Sequence, residues 1–261
     1  MASNRAFLAT CTLVFVACAA ATIQGSLSMS GMARMPMPGG WDMSMGWLPM
    51  CGQTWPGLAA SFICMWTVMM VSMMLPSLMP MLMGYRKATG TACQARIDWL
   101  TSVVGAGYFS AWVVLGVVVF AVCAAMAVMQ TRLPAIVQAL PVAGGVIVMA
   151  AGALQFTAWK ARRLACCRCT PCSHHSSRAT TVSAWRHGLR LGIGCIQCCA
   201  GQTATLLVLG VMDLRVMAVV TAAITAERLA PAGHRAARVI GAAMVTVGAV
   251  VIMREAWLGV R

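Results

Sequence analysis

Charge is scarce in this chain. Only 9% of its 261 residues are Asp, Glu, Lys or Arg, and only 5 are acidic. A soluble domain of this length has too little polar surface to cover a chain that is 61% hydrophobic. No paired carboxylates, no Ser-His-Asp set and no glycine-rich phosphate loop are present. The usual machinery for acid–base, acyl-transfer and nucleotide chemistry is therefore missing. A basic groove with interleaved aromatics is also absent, which removes nucleic acid as a partner despite a net charge of +14. Neither a soluble domain nor a long disordered linker is visible.

What is abundant is apolar length and sulfur. Windows of bilayer length fall at 6–24, 57–83, 99–129, 135–159, 189–210, 212–230 and 236–257. These predict an all-α fold: a polytopic integral membrane bundle of six or seven transmembrane helices. Residues 1–26 read as a signal anchor or signal peptide, 27–56 as a Met-rich outer loop, and 57–257 as the bundle, with a Cys/His-rich cytoplasmic loop at 160–188. With the N-terminus cytoplasmic, 14 of the 19 basic residues collect on one side. That asymmetry explains the positive charge as topology, and predicts a multi-pass membrane protein.

There are 23 methionines and 13 cysteines. The outer loop reads "SMSGMARMPMPGGWDMSMGWLPMCG", with Met35, Met37, Met43 and Met45 in M-x-M spacing. A Gly- and Pro-rich loop has no helical face to fill, so packing does not account for this content. Thioethers are soft, neutral ligands that suit Cu(I) and persist where thiols are oxidised. The next apolar segment carries "MMVSMMLPSLMPMLM". At helical spacing Met69, Met70, Met73 and Met74 share one broad face. Pro76 and Pro80 follow, and each removes a backbone donor and favours a kink. Both passage of a soft cation and plain packing around a kink fit this stretch.

On the opposite side, "LACCRCTPCSHH" supplies Cys166, Cys167, Cys169, Cys172, His174 and His175. Thiolates and imidazoles so crowded suit Cu(I) first and Zn(II) second. "GIGCIQCCAG" then places Cys195, Cys198 and Cys199 at i, i+3 and i+4, on one helix face. Membrane thiol oxidoreduction through Cys195 and Cys198 is a rival reading, and a non-catalytic assembly subunit is another. Glu227 and Asp213 sit at segment ends, where snorkelling or an ion pair is the expected role.

These pieces resemble the bacterial membrane family known as domain of unknown function 2182, described as predicted metal-binding integral membrane proteins, some labelled copper chaperones. The resemblance rests on "MMVSMMLPSLMPMLMGY", "LQFTAWK", "CRCTP", "GIGCIQCCAG", "GVMD" and "ERLAP", and covers most of the chain beyond residue 55. This chain departs from the pattern in having Arg163 where the family has a cysteine, Ala200 where it has tryptophan, and Arg228 where it tends to have lysine. The resemblance implies metal binding. The expected function is Cu(I) trafficking or delivery at the inner membrane, without enzymatic activity, to a copper-accepting membrane protein or chaperone.

Overall fold

The structure is a computed structural model that describes residues 2–30, 35–36, 42–43, 54–89, 93–132, 134–168, 180–211, 213–230 and 232–259. Among these residues the elements are α1 (Ala2–Ser30), β1 (Met35–Pro36), β2 (Asp42–Met43), α2 (Trp55–Ala88), α3 (Gln94–Arg132), α4 (Pro134–Leu154), α5 (Ala158–Arg168), α6 (Thr181–Leu209), α7 (Leu214–Leu229) and α8 (Gly233–Gly259). The two strands are two residues each and pair antiparallel, with Met35 opposite Met43. Everything else regular is helix, so the all-α polytopic bundle predicted from hydropathy is what the chain forms.

Local chemistry sets the helix starts. Thr54 caps α2, its hydroxyl accepting from the Gly57 amide at 3.4 Å. Thr180 and Ser183 form a reciprocal capping box at the start of α6. Asp213 caps α7, its carboxylate accepting from the Arg215 and Val216 amides at 2.8 and 3.4 Å. The expected role of Asp213 as an ion-pair or snorkelling residue is thus replaced by a cap. Between α6 and α7 the chain turns at Gly210, whose φ of 121° is open to glycine and strained for other residues.

Among the described residues, five helices are long and apolar enough to span a bilayer: α1, α2, α3, α6 and α8. A sixth span is formed if α4 and α5 count as one, bent by 65° at their junction. The sixth expected segment, at 212–230, forms α7, which has 16 residues, or about 24 Å at 1.5 Å per residue, less than a hydrocarbon core. The fourth segment also differs from expectation. It does not stop at 159 but turns through Gln155–Thr157 and restarts as α5, where the Thr157 hydroxyl accepts from the Lys160 amide at 3.3 Å. The loop expected at 160–188 is correspondingly shorter, because α5 runs to Arg168 and α6 starts at Thr181. Pro76 and Pro80 do not interrupt α2, which is helical throughout its 34 residues.

Glycine governs how closely these helices meet. A Cβ at Gly188 of α6 would overlap the Val104 carbonyl of α3, and one at Gly107 would lie 2.5 Å from the Trp185 carbonyl oxygen. The α4–α8 contact is built the same way, with a Cβ at Gly248 2.7 Å from the Gly145 oxygen. Membrane helices lack a hydrophobic drive toward one another, so close backbone packing of small residues takes its place. The core gathers Phe62, Trp66, Met70, Trp112 and Leu206, and the Trp66 indole donates to the Trp112 carbonyl at 2.9 Å. Valines on the outer faces, such as Val118, Val122, Val219 and Val239, stay exposed, as lipid contact requires.

Gly188→Ala should lower stability by about 1–3 kcal/mol through overpacking. Gly105→Ala, whose new Cβ meets nothing within 4 Å, should be neutral or stabilising. Thermal unfolding of both variants in detergent checks this, and equal loss in the two would contradict the close α3–α6 approach.

Candidate functional site

The site begins with the glycines of α6. A Cβ at Gly192 would stand 2.6 Å from the Tyr108 carbonyl oxygen, so this approach brings α3 against the turn that carries Cys195. The Tyr108 hydroxyl donates to Cys195 Sγ at 2.9 Å, with both side chains fully buried. From α7, Arg228 Nη1 donates to the same sulfur at 2.9 Å and to Ser77 Oγ of α2 at 3.0 Å. Its Nη2 lies 3.7 Å from Met81 Sδ. Two donors converging on one sulfur, one of them cationic, make Cys195 a place where a thiolate is well accommodated.

Around that sulfur are others. Cys199 Sγ, one turn along α6, and Met74 Sδ, across the interface on α2, each lie 3.9 Å from Cys195 Sγ. The Cys198 thiol interacts in turn with that of Cys199. All three cysteines are buried thiols outside any disulfide. Sequence spacing placed them on one face, and α2 adds the thioether that closes the group. Among the described residues no three His, Cys, Asp or Glu side chains meet in a metal-ligating arrangement. What the chain brings together is a mixed set of two thiols and one thioether.

A second polar feature adjoins the sulfurs. Lys160 Nζ from α5 and Glu227 Oε2 from α7 form an ion pair at 2.8 Å, with side chains 5% and 2% exposed. Lys160 also donates to the Cys198 carbonyl oxygen, tying α5 to the thiol-bearing turn. Of the two roles expected of Glu227, snorkelling or an ion pair, the structure shows the ion pair, made with a neighbouring helix. Gln202 approaches Glu227, but neither its amide nor Glu227 Oε1 reaches hydrogen-bond geometry.

The other residues singled out from sequence divide three ways. Met69, Met70 and Met73 are buried in the core with Met74, so the methionine face of α2 points into protein and away from lipid. Cys166 and Cys167 stand in the last turn of α5, where sequence alone suggested a loop. Met35 and Met43 are opposed in the short strand pair. Cys169, Cys172, His174, His175, Met37 and Met45 lie outside the described residues.

Sequence reasoning did not anticipate Tyr108, Ser77, Met81, Lys160 or Arg228 at the site. The available signal was the presence of Lys160, Glu227 and Arg228 in apolar surroundings, since intramembrane charge is rare and usually functional.

Comparison with known proteins agrees with this chemistry. A family profile described as PpoB2, copper chaperone, matches residues 63–251. No curated protein and no solved structure matches the chain. The matched stretch covers more than half of the sequence and contains every residue of the sulfur group, from Met74 to Arg228. The chain belongs to that copper chaperone family.

Lys160→Met leaves Glu227 buried without its partner and should cost about 3–5 kcal/mol of stability. Replacing both residues by Met should cost much less. Denaturation of the single and double variants in detergent measures the difference, and equal losses would show that the pair is not energetically coupled.

Proposed function

We propose that this member of the copper chaperone family binds Cu(I) within its helix bundle, through Cys195, Cys199 and Met74, and passes it across or along a bacterial inner membrane. The observation that carries the reading is Cys195 Sγ, buried and 3.9 Å from both a second thiol and a thioether. Cu(I) accepts two or three sulfur ligands, and small side-chain rotations from these separations bring sulfurs to metal-bonding distance. Thiolate and thioether are the ligand types that favour Cu(I) over harder ions. Zn(II), which takes four ligands in a closed tetrahedron, fits this three-sulfur group less well.

In this reading the ion arrives at the Met-rich loop, at Met35, Met37, Met43 and Met45, where thioethers hold it weakly. The buried face of Met69, Met70 and Met73 leads toward Cys195, and Cys198 completes the thiol turn. The reading then hands the ion to Cys166, Cys167, Cys169, Cys172, His174 and His175. Basic residues cluster with this end: Arg86 and Lys87 close α2, and Arg186 and Arg190 open α6. By the positive-inside rule that end is cytoplasmic and the N-terminus lies on the same side. The affinity gradient from thioether to thiolate favours inward delivery, to a copper-accepting membrane protein or chaperone. The role is binding and transfer, with no bond of a substrate made or broken.

Cu(I) titration of the purified, reduced protein against a chromophoric competitor tests the assignment. With the four cysteines at 166, 167, 169 and 172 changed to serine, one tightly held equivalent should remain. Adding Cys195→Ser and Cys199→Ser should abolish it, and retention of that equivalent would place the ion elsewhere. Met69→Leu, Met73→Leu and Met74→Leu combined should keep the fold, as volume-conserving changes do, while lowering cellular copper accumulation. Unchanged copper content would remove the methionine face from the path.

A further inference from the structure

We infer that the cleft between α1, α2 and α3 is a lipid site, shaped for one acyl chain of a phospholipid whose head carries a primary ammonium group, as phosphatidylethanolamine does. The inference is independent of the metal reading above, since the cleft shares no residue with the sulfur group.

α1 packs along α2 and makes little contact with α3, and the three helices enclose a cleft of about 460 Å³. That size falls within the range of small-molecule sites, about 300–1,000 Å³. Leu75, Leu78 and Leu82, on one face of α2, form its floor, and Phe7 and Val14 of α1 stand opposite. On α3 the lining runs from Asp98 to Phe109, a rise of about 16 Å. One leaflet of a bilayer's hydrocarbon is about 15 Å deep, so the cleft has the length of an acyl chain lying in a single leaflet. Gly105 also lines it, and a Cβ there would meet nothing within 4 Å. The glycine therefore widens the space by the side chain it lacks.

The polarity of the cleft is graded. Its hydroxyls are turned to their own helices: Thr10, Thr101 and Ser102 donate to the Ala6, Ile97 and Asp98 carbonyls at 3.0, 2.7 and 3.0 Å. Groups satisfied in this way ask nothing of an occupant, so most of the length suits hydrocarbon. The charged member of the lining is Asp98, at one end. Its Oδ1 accepts from Arg86 Nη1 and from Gln94 Nε2, and the side chain remains 50% exposed. Arg86 in turn lies over the Phe7 ring at 4.4 Å, which holds the start of α1 at this mouth.

An apolar slot of leaflet depth with a carboxylate at its rim matches an amphiphile with one tail in the slot and an amine at the head. An ethanolamine ammonium brings both positive charge and N–H donors to Asp98. A choline head brings the charge without the donors, and a glycerol head brings neither. Exposed Lys87 and Arg96 stand at the same end and suit the phosphate of the same lipid. Bound there, the chain fills the gap between α1 and α3 and fastens α1 to the bundle.

The test uses the full chain, delipidated in mild detergent, with its intact mass confirming that residues 1–26 are present. Phosphatidylethanolamine, phosphatidylcholine and phosphatidylglycerol of identical acyl chains are titrated in turn, read by native mass spectrometry and by thermal unfolding. Phosphatidylethanolamine should bind at one equivalent and raise the unfolding temperature, two to about five times more tightly than phosphatidylcholine, the range of a half-exposed ion pair. Gly105→Leu, which fills the slot, should unfold no lower than the native chain without lipid and lose the rise with it. Asp98→Asn should keep binding but level the two zwitterionic lipids. An undiminished response in Gly105→Leu would overturn the inference, as would phosphatidylglycerol binding as tightly as phosphatidylethanolamine. A neutral apolar molecule retained in place of phospholipid, or a purified chain that lacks residues 1–26, would overturn it too. Should Asp98→Asn not fold, the order of the three lipids on the native chain and the Gly105→Leu result decide the matter.

Discussion

A cation fixed inside an apolar bundle must be answered by its neighbours, and in this protein Arg228 is that cation. Its guanidinium draws α2 and α6 toward α7 by hydrogen bonds to Ser77 and Cys195. The arrangement is possible only because Gly188 and Gly192 let α6 lie against the backbone of α3, which presents Tyr108 to the same sulfur. Removing either the close helix approach or the charge leaves Cys195 an ordinary buried thiol. The sulfur group is thus a product of tertiary packing, with four helices each supplying one part.

That dependence explains what was readable beforehand. The helical bundle and the shared face of Met69, Met70, Met73 and Met74 followed from hydropathy and spacing, since a period of 3.6 places those methionines on one side of α2. The sharing of a face by Cys195 and Cys199 was equally local. The contacts that define the site were not, because Tyr108, Arg228 and Cys195 are separated by 87 and 33 residues in sequence. No periodicity encodes which helices become neighbours. The bend at Gln155–Thr157 was also hidden, since hydropathy runs through it and only the threonine hydroxyl marks the restart. The length of α7 was misjudged for the opposite reason: the apolar run extends past the Asp213 cap that starts the helix.

Two kinds of polar burial sit side by side here with different consequences. Lys160 and Glu227 neutralise each other and lock α5 onto α6 and α7, a structural pairing with no charge left over. Arg228 instead places its guanidinium among Cys195 Sγ, Ser77 Oγ and Met81 Sδ, and so ties α7 to α6 and α2.

The bend between α4 and α5 gives the molecule a mechanical coupling. Lys160, just past the bend, grips the Cys198 carbonyl, and the same short helix ends at Arg168, where the cysteine-rich stretch begins. α5 is therefore a lever with its fulcrum on the thiol-bearing turn. Through this one hydrogen bond the position of the thiol-bearing turn and that of Cys166 and Cys167, in the last turn of α5, are tied together.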